Sequence, residues 1–393
     1  MPYRAAVIGA GRQGTAAAYD LARLGGAEAV WCFDAEAAIA EASARRVNRL
    51  LGRPAATPAM LDARDPHAVA AALRRENIQV FVSAVPYFFN LGLTYAAIES
   101  GASMTDLGGN SEVVFEQLAL NDEARQAGIS IVPDCGQVPG MGTSLIVYAI
   151  EQLDTPQDVF MWDCGLPQDP QPPWHYRLTF SIEGLTNEFH GECLYIRNGK
   201  TVRVPALEEL ETIEFPQPIG WLEAFTTAGG LTTAARTLAG RLRTLQNKTL
   251  RYPGHYAQLK VLQQLGLLDL QPVTVDGHPV VPRHVLHALW EPQIRGDENT
   301  RDLIIIRILA TGMKNGRATE AWVDLIHYAD PETGFTAMEQ GTGWHASILA
   351  AAIAAGRVAK GVIPVEQAMT GKDFVAEGQR RGFRVDLRIG AAS

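Results

Sequence analysis

Three short stretches of this chain carry side chains whose types and spacing can do chemistry. The first is Gly9-Ala10-Gly11-Arg12-Gln13-Gly14, with Asp34 twenty residues beyond its last glycine, at the end of AVWCFD. Glycine at the first position permits a tight turn out of a strand. At the second it lets backbone approach a diphosphate with no Cβ in the way, and at the third it lets a helix pack on the strand. The free N–H groups and dipole of the helix start favour the anion, with Arg12 and Gln13 lining the turn. An acid ending the next strand accepts hydrogen bonds from both ribose hydroxyls and repels a 2′-phosphate, which predicts NAD rather than NADP. Arg45 and Arg46, the nearest arginines, lie further on and read as a solvated helix face. Ser83-Ala84-Val85-Pro86 closes another strand and supplies small residues where the nicotinamide end of such a site lies.

Hydride transfer to a nicotinamide obliges the protein to hold the donor carbon, exclude water and manage a proton. The second stretch, MTDLGGN and VPDCGQVPGMG, offers Asp106 and Asp134 at strand ends. Each fits a pocket carboxylate that binds an amine or takes a proton, and each equally fits a helix cap or turn former. Asp62 ends a third strand and reads as a loop-solvated carboxylate. The third stretch, NKTLRYPGH, offers Lys248, Arg251, Tyr252 and His255 on a strand followed by a turn. Arg251 suits bidentate recognition of a substrate carboxylate, and Lys248 or His255 an acid or base if burial shifts their pKa values. Taken singly, each of these also fits a surface charge or a satisfied polar group. The other histidines show no usable pattern, and His345 reads as a packed helix residue. Neither GxSxG, nor HExxH, nor a phosphate-binding lysine loop is present, which argues against hydrolase, zincin and P-loop chemistry.

The elements that must position these groups follow from periodicity. Up to residue 153, short apolar runs (AAVIG, EAVWCFD, TPAMLD, IQVFVSAVP, SMTDLGG, ISIVPD) alternate with helix-like patterns. This predicts an α/β Rossmann domain, a doubly wound parallel sheet, over residues 1–153. Residues 154–335 turn β-rich and alternating, with NG and KNG turns inside two hairpins, which predicts a second, α+β domain with a largely antiparallel sheet serving catalysis and dimerisation. Residues 336–393 read as a helical segment packing back on the first domain.

The 393 residues are 47% hydrophobic and 20% charged, enough for two domains with their own cores. The net charge of −9 and the lack of a basic run exclude a nucleic-acid partner and suit a small cationic or zwitterionic substrate. The four cysteines are scattered without metal-ligand spacing, so no metal site and no disulfide framework is expected. The longest apolar stretch, ILAAAIAA, is too short for a bilayer, and the first strand leaves no room for a signal core; the expectation is a cytoplasmic enzyme without a membrane partner. A homodimer or higher homo-oligomer is expected, because the β-rich insertion favours self-association.

The glycine loop, PDCGQVPGMG, SIEGLTNEF, YIRNGKTVRVPAL, EAFTTAGGL and KTLRYPGH occur in this order. In them the sequence resembles the saccharopine dehydrogenase-like family, and within it the L-lysine 6-dehydrogenase branch, over nearly the whole chain. The resemblance implies an NAD-dependent oxidoreductase with a lysine-derived substrate. Where saccharopine reductases show RGTLRY followed by GF, this chain has Asn247-Lys248 and places His255 after Gly254. The change disfavours the bulky saccharopine arm and favours lysine itself. The implied reaction is oxidative deamination of L-lysine at the ε-carbon, giving 2-aminoadipate 6-semialdehyde, which cyclises to a piperideine carboxylate, and ammonia. Arg251 then holds the α-carboxylate, Asp106 or Asp134 the α-amine, and Lys248 or His255 moves protons. The alternatives are a saccharopine- or carboxyspermidine-type reductase and a non-catalytic NAD-binding sensor.

Overall fold

Six short apolar runs build the sheet of the first unit; the central ones are buried on both faces, as a parallel sheet covered by helices requires, whereas the edge run 56–60 is largely exposed. They are β1 (Tyr3–Ile8), β2 (Ala27–Asp34), β3 (Ala56–Met60), β4 (Val80–Ser83), β5 (Ser103–Asp106) and β6 (Ser130–Val132). The structure is a computed structural model that describes residues 2–297 and 299–392. Each of the six expected strands forms.

The second unit opens with β7 (Thr155–Pro167) and continues with β8 (Glu192–Arg197), β9 (Lys200–Pro205), β10 (Glu211–Phe215), β11 (Gly220–Thr226) and β12 (Thr244–Arg251). A small hairpin, β13 (Val273–Val275) and β14 (His278–Val280), precedes the long pair β15 (Asp302–Lys314) and β16 (Arg317–Tyr328). Two late strands complete the set, β17 (Gly361–Val362) and β18 (Val385–Ala391).

In the first unit the strand order is β17-β6-β5-β4-β1-β2-β3, all parallel. The order reverses between β1 and β4, the switch point where ligands gather in such sheets. Ala6, Ile8, Phe33, Phe81, Met104 and Ile131 line one of its cores. In the second unit the path is β10-β11-β12-β7-β15-β16-β18, with β8 and β9 appended to β12. Only β12 and β7 pair in parallel along it. Both expected hairpin turns occur: Asn198-Gly199 and Asn315-Gly316 have positive φ throughout, as a two-residue turn between twisted strands demands.

Contact density divides the chain into Met1–Glu151, Pro331–Phe335 and Glu339–Arg384 on one side, and Gln152–Asp330, Thr336–Met338 and Val385–Ser393 on the other. The expectation sent all of 336–393 to the first domain. The tail instead divides: β17 extends the parallel sheet, whereas β18 pairs with β16 across seven residue pairs from Thr319↔Ala391 to Leu325↔Val385. The alternation in VDLRIGA is too short and too exposed to announce a strand without its partner. No helix among the described residues is long and apolar enough to cross a membrane.

Candidate functional site

The glycine turn sits at the switch point of the parallel sheet, and its three glycines are needed for different reasons. Gly9 has φ +92°, and a Cβ there would lie 2.6 Å from the Ala84 carbonyl oxygen and 2.9 Å from Val85 Cγ1. A Cβ on Gly14 would lie 1.9 Å from the Gly9 carbonyl oxygen, so this glycine sets how closely helix Arg12–Arg23 meets β1. Gly11 is the exception: a Cβ there meets nothing within 4 Å. The protein itself leaves that space open, at a helix N-terminus whose first N–H groups lack helical partners. Close by, both polar atoms of the Gln13 amide are buried without a protein partner.

Asp34 ends β2 and braces the turn, its Oδ2 accepting the Ala10 N–H at 2.9 Å and its Oδ1 the Glu36 N–H at 3.0 Å. Each oxygen keeps lone-pair capacity for a hydroxyl donor. The neighbouring arginines are committed elsewhere: Arg45 to Glu41, and Arg46 to the Thr333 carbonyl and the Phe335 ring. Arg12 pairs with Glu339, 2.5 Å away. Asp62 holds Arg64 at the surface, as a solvated carboxylate does. The open cradle, the unpartnered amide and the acid at the end of β2 fit a nicotinamide dinucleotide, with Gly9, Gly11, Gln13, Gly14 and Asp34 as the residues that would hold it.

Ser83, expected at the nicotinamide end, closes β4. It is buried, and its hydroxyl donates to Asn90 Oδ1 at 2.7 Å, fixing the start of the following helix. Ala84 and Val85 are half-buried beside Gly9 and Pro86 is exposed.

At the ends of β5 and β6 the two expected aspartates are joined. Asp106 is fully buried; its Oδ1 accepts the N–H groups of Gly108 (2.8 Å) and Asp134 (3.0 Å), and its Oδ2 accepts Gln117 Nε2 at 2.9 Å. Burial raises its pKa, and these donors oppose the rise. Asp134 stands at φ +62°, and Gly108 fits so closely that a Cβ would lie 2.3 Å from Asp134 Oδ1. His345 underpins the same turn, one ring nitrogen 2.8 Å from the Cys135 carbonyl and the other 3.0 Å from Ser144 Oγ. Burial pushes it down to about 4, so it is neutral there. It is more than a packed helix residue, a role that sequence separation hid.

In the second unit the pleat of β12 sorts the expected cluster. Alternation puts Asn247, Thr249 and Arg251 on one face and Lys248 on the other. Lys248 is buried and spent on the Glu209 carbonyl (2.8 Å) and Glu211 (3.2 Å), so the strand separates it from Arg251. Arg251 is 3% exposed. Its Nη1 donates to Thr249 Oγ1 (2.5 Å) and the Leu250 carbonyl (3.0 Å), and its Nη2 to Glu188 Oε2 (3.2 Å), while the rings of Tyr176 and Phe189 flank the guanidinium. Tyr252 donates its hydroxyl to the Pro167 carbonyl at 2.9 Å and so anchors β12 to the end of β7. His255 is 1% exposed, lies against the Tyr176 ring, and has neither ring nitrogen partnered. Desolvation first, then the charge of Arg251, pushes it down to about 3.

Two carboxylates complete this cluster that the sequence did not single out. Asp163 accepts Asn247 Nδ2 at 2.7 Å, and burial raises it to about 6. Glu188 is raised to about 7 by desolvation, against the pull of Arg251 and with the push of Asp163. Glu188 lies inside SIEGLTNEF, but its pairing with Arg251 spans 63 residues and has no local signal. Among the described residues no group of three potential metal ligands gathers, and the four cysteines are buried and outside any disulfide.

Comparison with known proteins matches residues 5–132 to the saccharopine dehydrogenase NADP binding domain and residues 136–382 to the saccharopine dehydrogenase C-terminal domain. A carboxynorspermidine synthase of Vibrio cholerae serotype O1 is 23% identical over 272 residues, 66% of this chain and 64% of the relative. The matched segment thus falls short of two thirds of that relative's length. Among solved structures, the apo, histidine-tagged saccharopine dehydrogenase (L-Glu forming) of Saccharomyces cerevisiae superposes with a TM-score of 0.77 at 18% identity, covering 99% of this chain and 100% of that one. It shares the fold. With both halves matched by the two domains of one family and the fold in agreement, the chain belongs to the saccharopine dehydrogenase family.

Proposed function

We propose that this protein is a nicotinamide-dependent oxidoreductase that oxidises the carbon bearing a primary amine, with L-lysine and water as substrates and NAD as hydride acceptor; water hydrolyses the resulting imine, and NADH, ammonia and 2-aminoadipate 6-semialdehyde are the products. The observation that carries the reading is the open glycine cradle braced by Asp34 on a chain that matches this family over residues 5–132 and 136–382. A nicotinamide dinucleotide seated there supplies the hydride acceptor. NAD rather than NADP is supported by the carboxylate at the end of β2 and by the engagement of Arg45 and Arg46 elsewhere, although the family's domain is described as NADP binding.

The chain's own residues have a proton to manage. A free alkylammonium has a pKa of about 10.4, so the bound amine must lose a proton before its carbon gives up hydride. Carboxylates held near neutrality, as Asp163 and Glu188 are, match that task better than Lys248, which is already paired with Glu211. Asp106 and Asp134 keep the turns after β5 and β6 in shape, and the assignment of the α-amine to either remains part of this proposal.

A second reading, reductive joining of an amine to an aldehyde, is favoured by the carboxynorspermidine synthase relative. One screen separates the two. Lysine, saccharopine, ornithine and polyamines are each offered with NAD and with NADP, and reduced cofactor and ammonia are both measured. Reduced cofactor with equimolar ammonia from lysine is expected. Turnover without ammonia would move the assignment to the second reading, and no turnover of any amine would leave an idle dinucleotide-binding protein.

A further inference from the structure

The sequence assigns Arg251 to a substrate carboxylate, but its surroundings argue for the opposite charge. Around the guanidinium stand Asp163 from β7, Glu188 from helix Ile182–Glu188, His255 from helix His255–Gln264, and Tyr176. The histidine is neutral and the phenol is protonated. Two carboxylates therefore face one fixed cation. A third carboxylate brought in by a substrate would meet these two acids, and three of the five guanidinium N–H groups of Arg251 are already given to Thr249, Leu250 and Glu188. With both acids ionised, one further cation balances the set. Of these groups, the Glu188 side chain is 32% exposed and the Arg251 side chain 3%. Glu188 is thus the charged group that an incoming molecule can touch. Unpartnered polar atoms, both ring nitrogens of His255 and Asn247 Oδ1, lie buried in the same cluster and point to a polar occupant.

Resting on the oxidoreductase reading above, we infer that Glu188 receives the ammonium group of the substrate, and that Arg251 is a positioning residue that holds Glu188 rather than a clamp for carboxylate. Recognition in this unit is then of an alkylammonium, with or without a carboxylate elsewhere in the molecule. The proton balance follows from the same cluster. Glu188 is largely protonated at pH 6, an arriving ammonium favours its ionised form, and binding expels that proton to solvent. At pH 8.5 there is none to expel.

The test uses the full chain and two probes in titration calorimetry, 1,5-diaminopentane, which has no carboxylate, and hexanoate, which has no ammonium. The wild type is expected to bind the diamine, and Glu188→Gln to weaken it at least tenfold while dinucleotide binding stays unchanged; a lower melting temperature from the lost partner of Arg251 is expected and is measured separately. In buffers of different ionisation heat, the wild type is expected to release at least half a proton per diamine at pH 6 and almost none at pH 8.5; this readout needs no variant to fold. Diamine affinity unchanged in Glu188→Gln, proton release absent at pH 6, or hexanoate binding in preference to the diamine would each overturn the inference. The parent reading fails separately: diamine that binds through Glu188 while no amine reduces a nicotinamide sinks the reaction and leaves the ammonium site standing.

Discussion

Asp34 does two jobs that a single substitution can separate. Its carboxylate holds the Ala10 and Glu36 N–H groups, and under the proposed function its remaining lone pairs accept from a ribose hydroxyl. Asn keeps an acceptor for the turn but loses the charge and one acceptor oxygen. Asp34→Asn is expected to weaken NAD by about tenfold, the ~1.4 kcal/mol order of a hydrogen bond to a charged group, and to weaken NADP less, because a repulsion is lifted at the same time. The measurement is the ratio of the two dissociation constants by fluorescence titration, and an unaltered ratio removes Asp34 from the ribose. Asp34 was readable because the residues it serves are a fixed distance along the chain. Glu188 was not, because a carboxylate in a helix acquires its meaning only from Arg251 on a distant strand.

The strand–turn–helix element at the N-terminus makes a sharper prediction, because two of its glycines differ in what surrounds them. Gly14 is closed by the Gly9 carbonyl at 1.9 Å, whereas Gly11 has φ −67° and open space. Gly14→Ala is expected to push the helix off β1 and cost several kcal/mol, in line with overpacking against backbone. Gly11→Ala should keep stability within about 1 kcal/mol while dinucleotide binding is lost. Urea unfolding and cofactor titration of the two variants check this, and a Gly11→Ala protein that still binds dinucleotide normally would show that the cradle is not the diphosphate site. The periodic pattern also located β12, but its pleat decided that Lys248 and Arg251 face opposite ways. The sequence groups these residues as neighbours, and only the observed hydrogen bonds show which face meets Asp163.

The first unit is closed by chain that comes from far away. Arg381 Nε lies 2.8 Å from Asp20 Oδ2, with both side chains 1% exposed, and Ser347 donates to the same oxygen. Glu377 takes the other arm of the guanidinium at 2.7 Å. Burial raises the pKa of Asp20, and Arg381 and Ser347 oppose the rise, so removing the arginine leaves a buried acid without its counter-charge. Arg381→Ala is expected to cost about 3–5 kcal/mol in urea unfolding. The double change Asp20→Asn with Arg381→Met should recover a good part of it, since an uncharged pair carries a much smaller desolvation penalty than a lone buried charge. A double variant as unstable as the single one would mean that Arg381 acts through packing alone.

The sequence by itself determined what is local: the six strands of the parallel sheet, the hairpin turns at Asn198-Gly199 and Asn315-Gly316, and the glycine turn with the acid that braces it. Each of these is written within a few turns of chain, where backbone conformation and side-chain period are set by immediate neighbours. Tertiary structure alone decided that β18 leaves the first unit for the second, that His345 supports the Cys135 turn, and that Arg251 pairs with Glu188 within electrostatic reach of Asp163. Charge balance and desolvation depend on which groups share a volume, and that is settled only when distant segments are packed together.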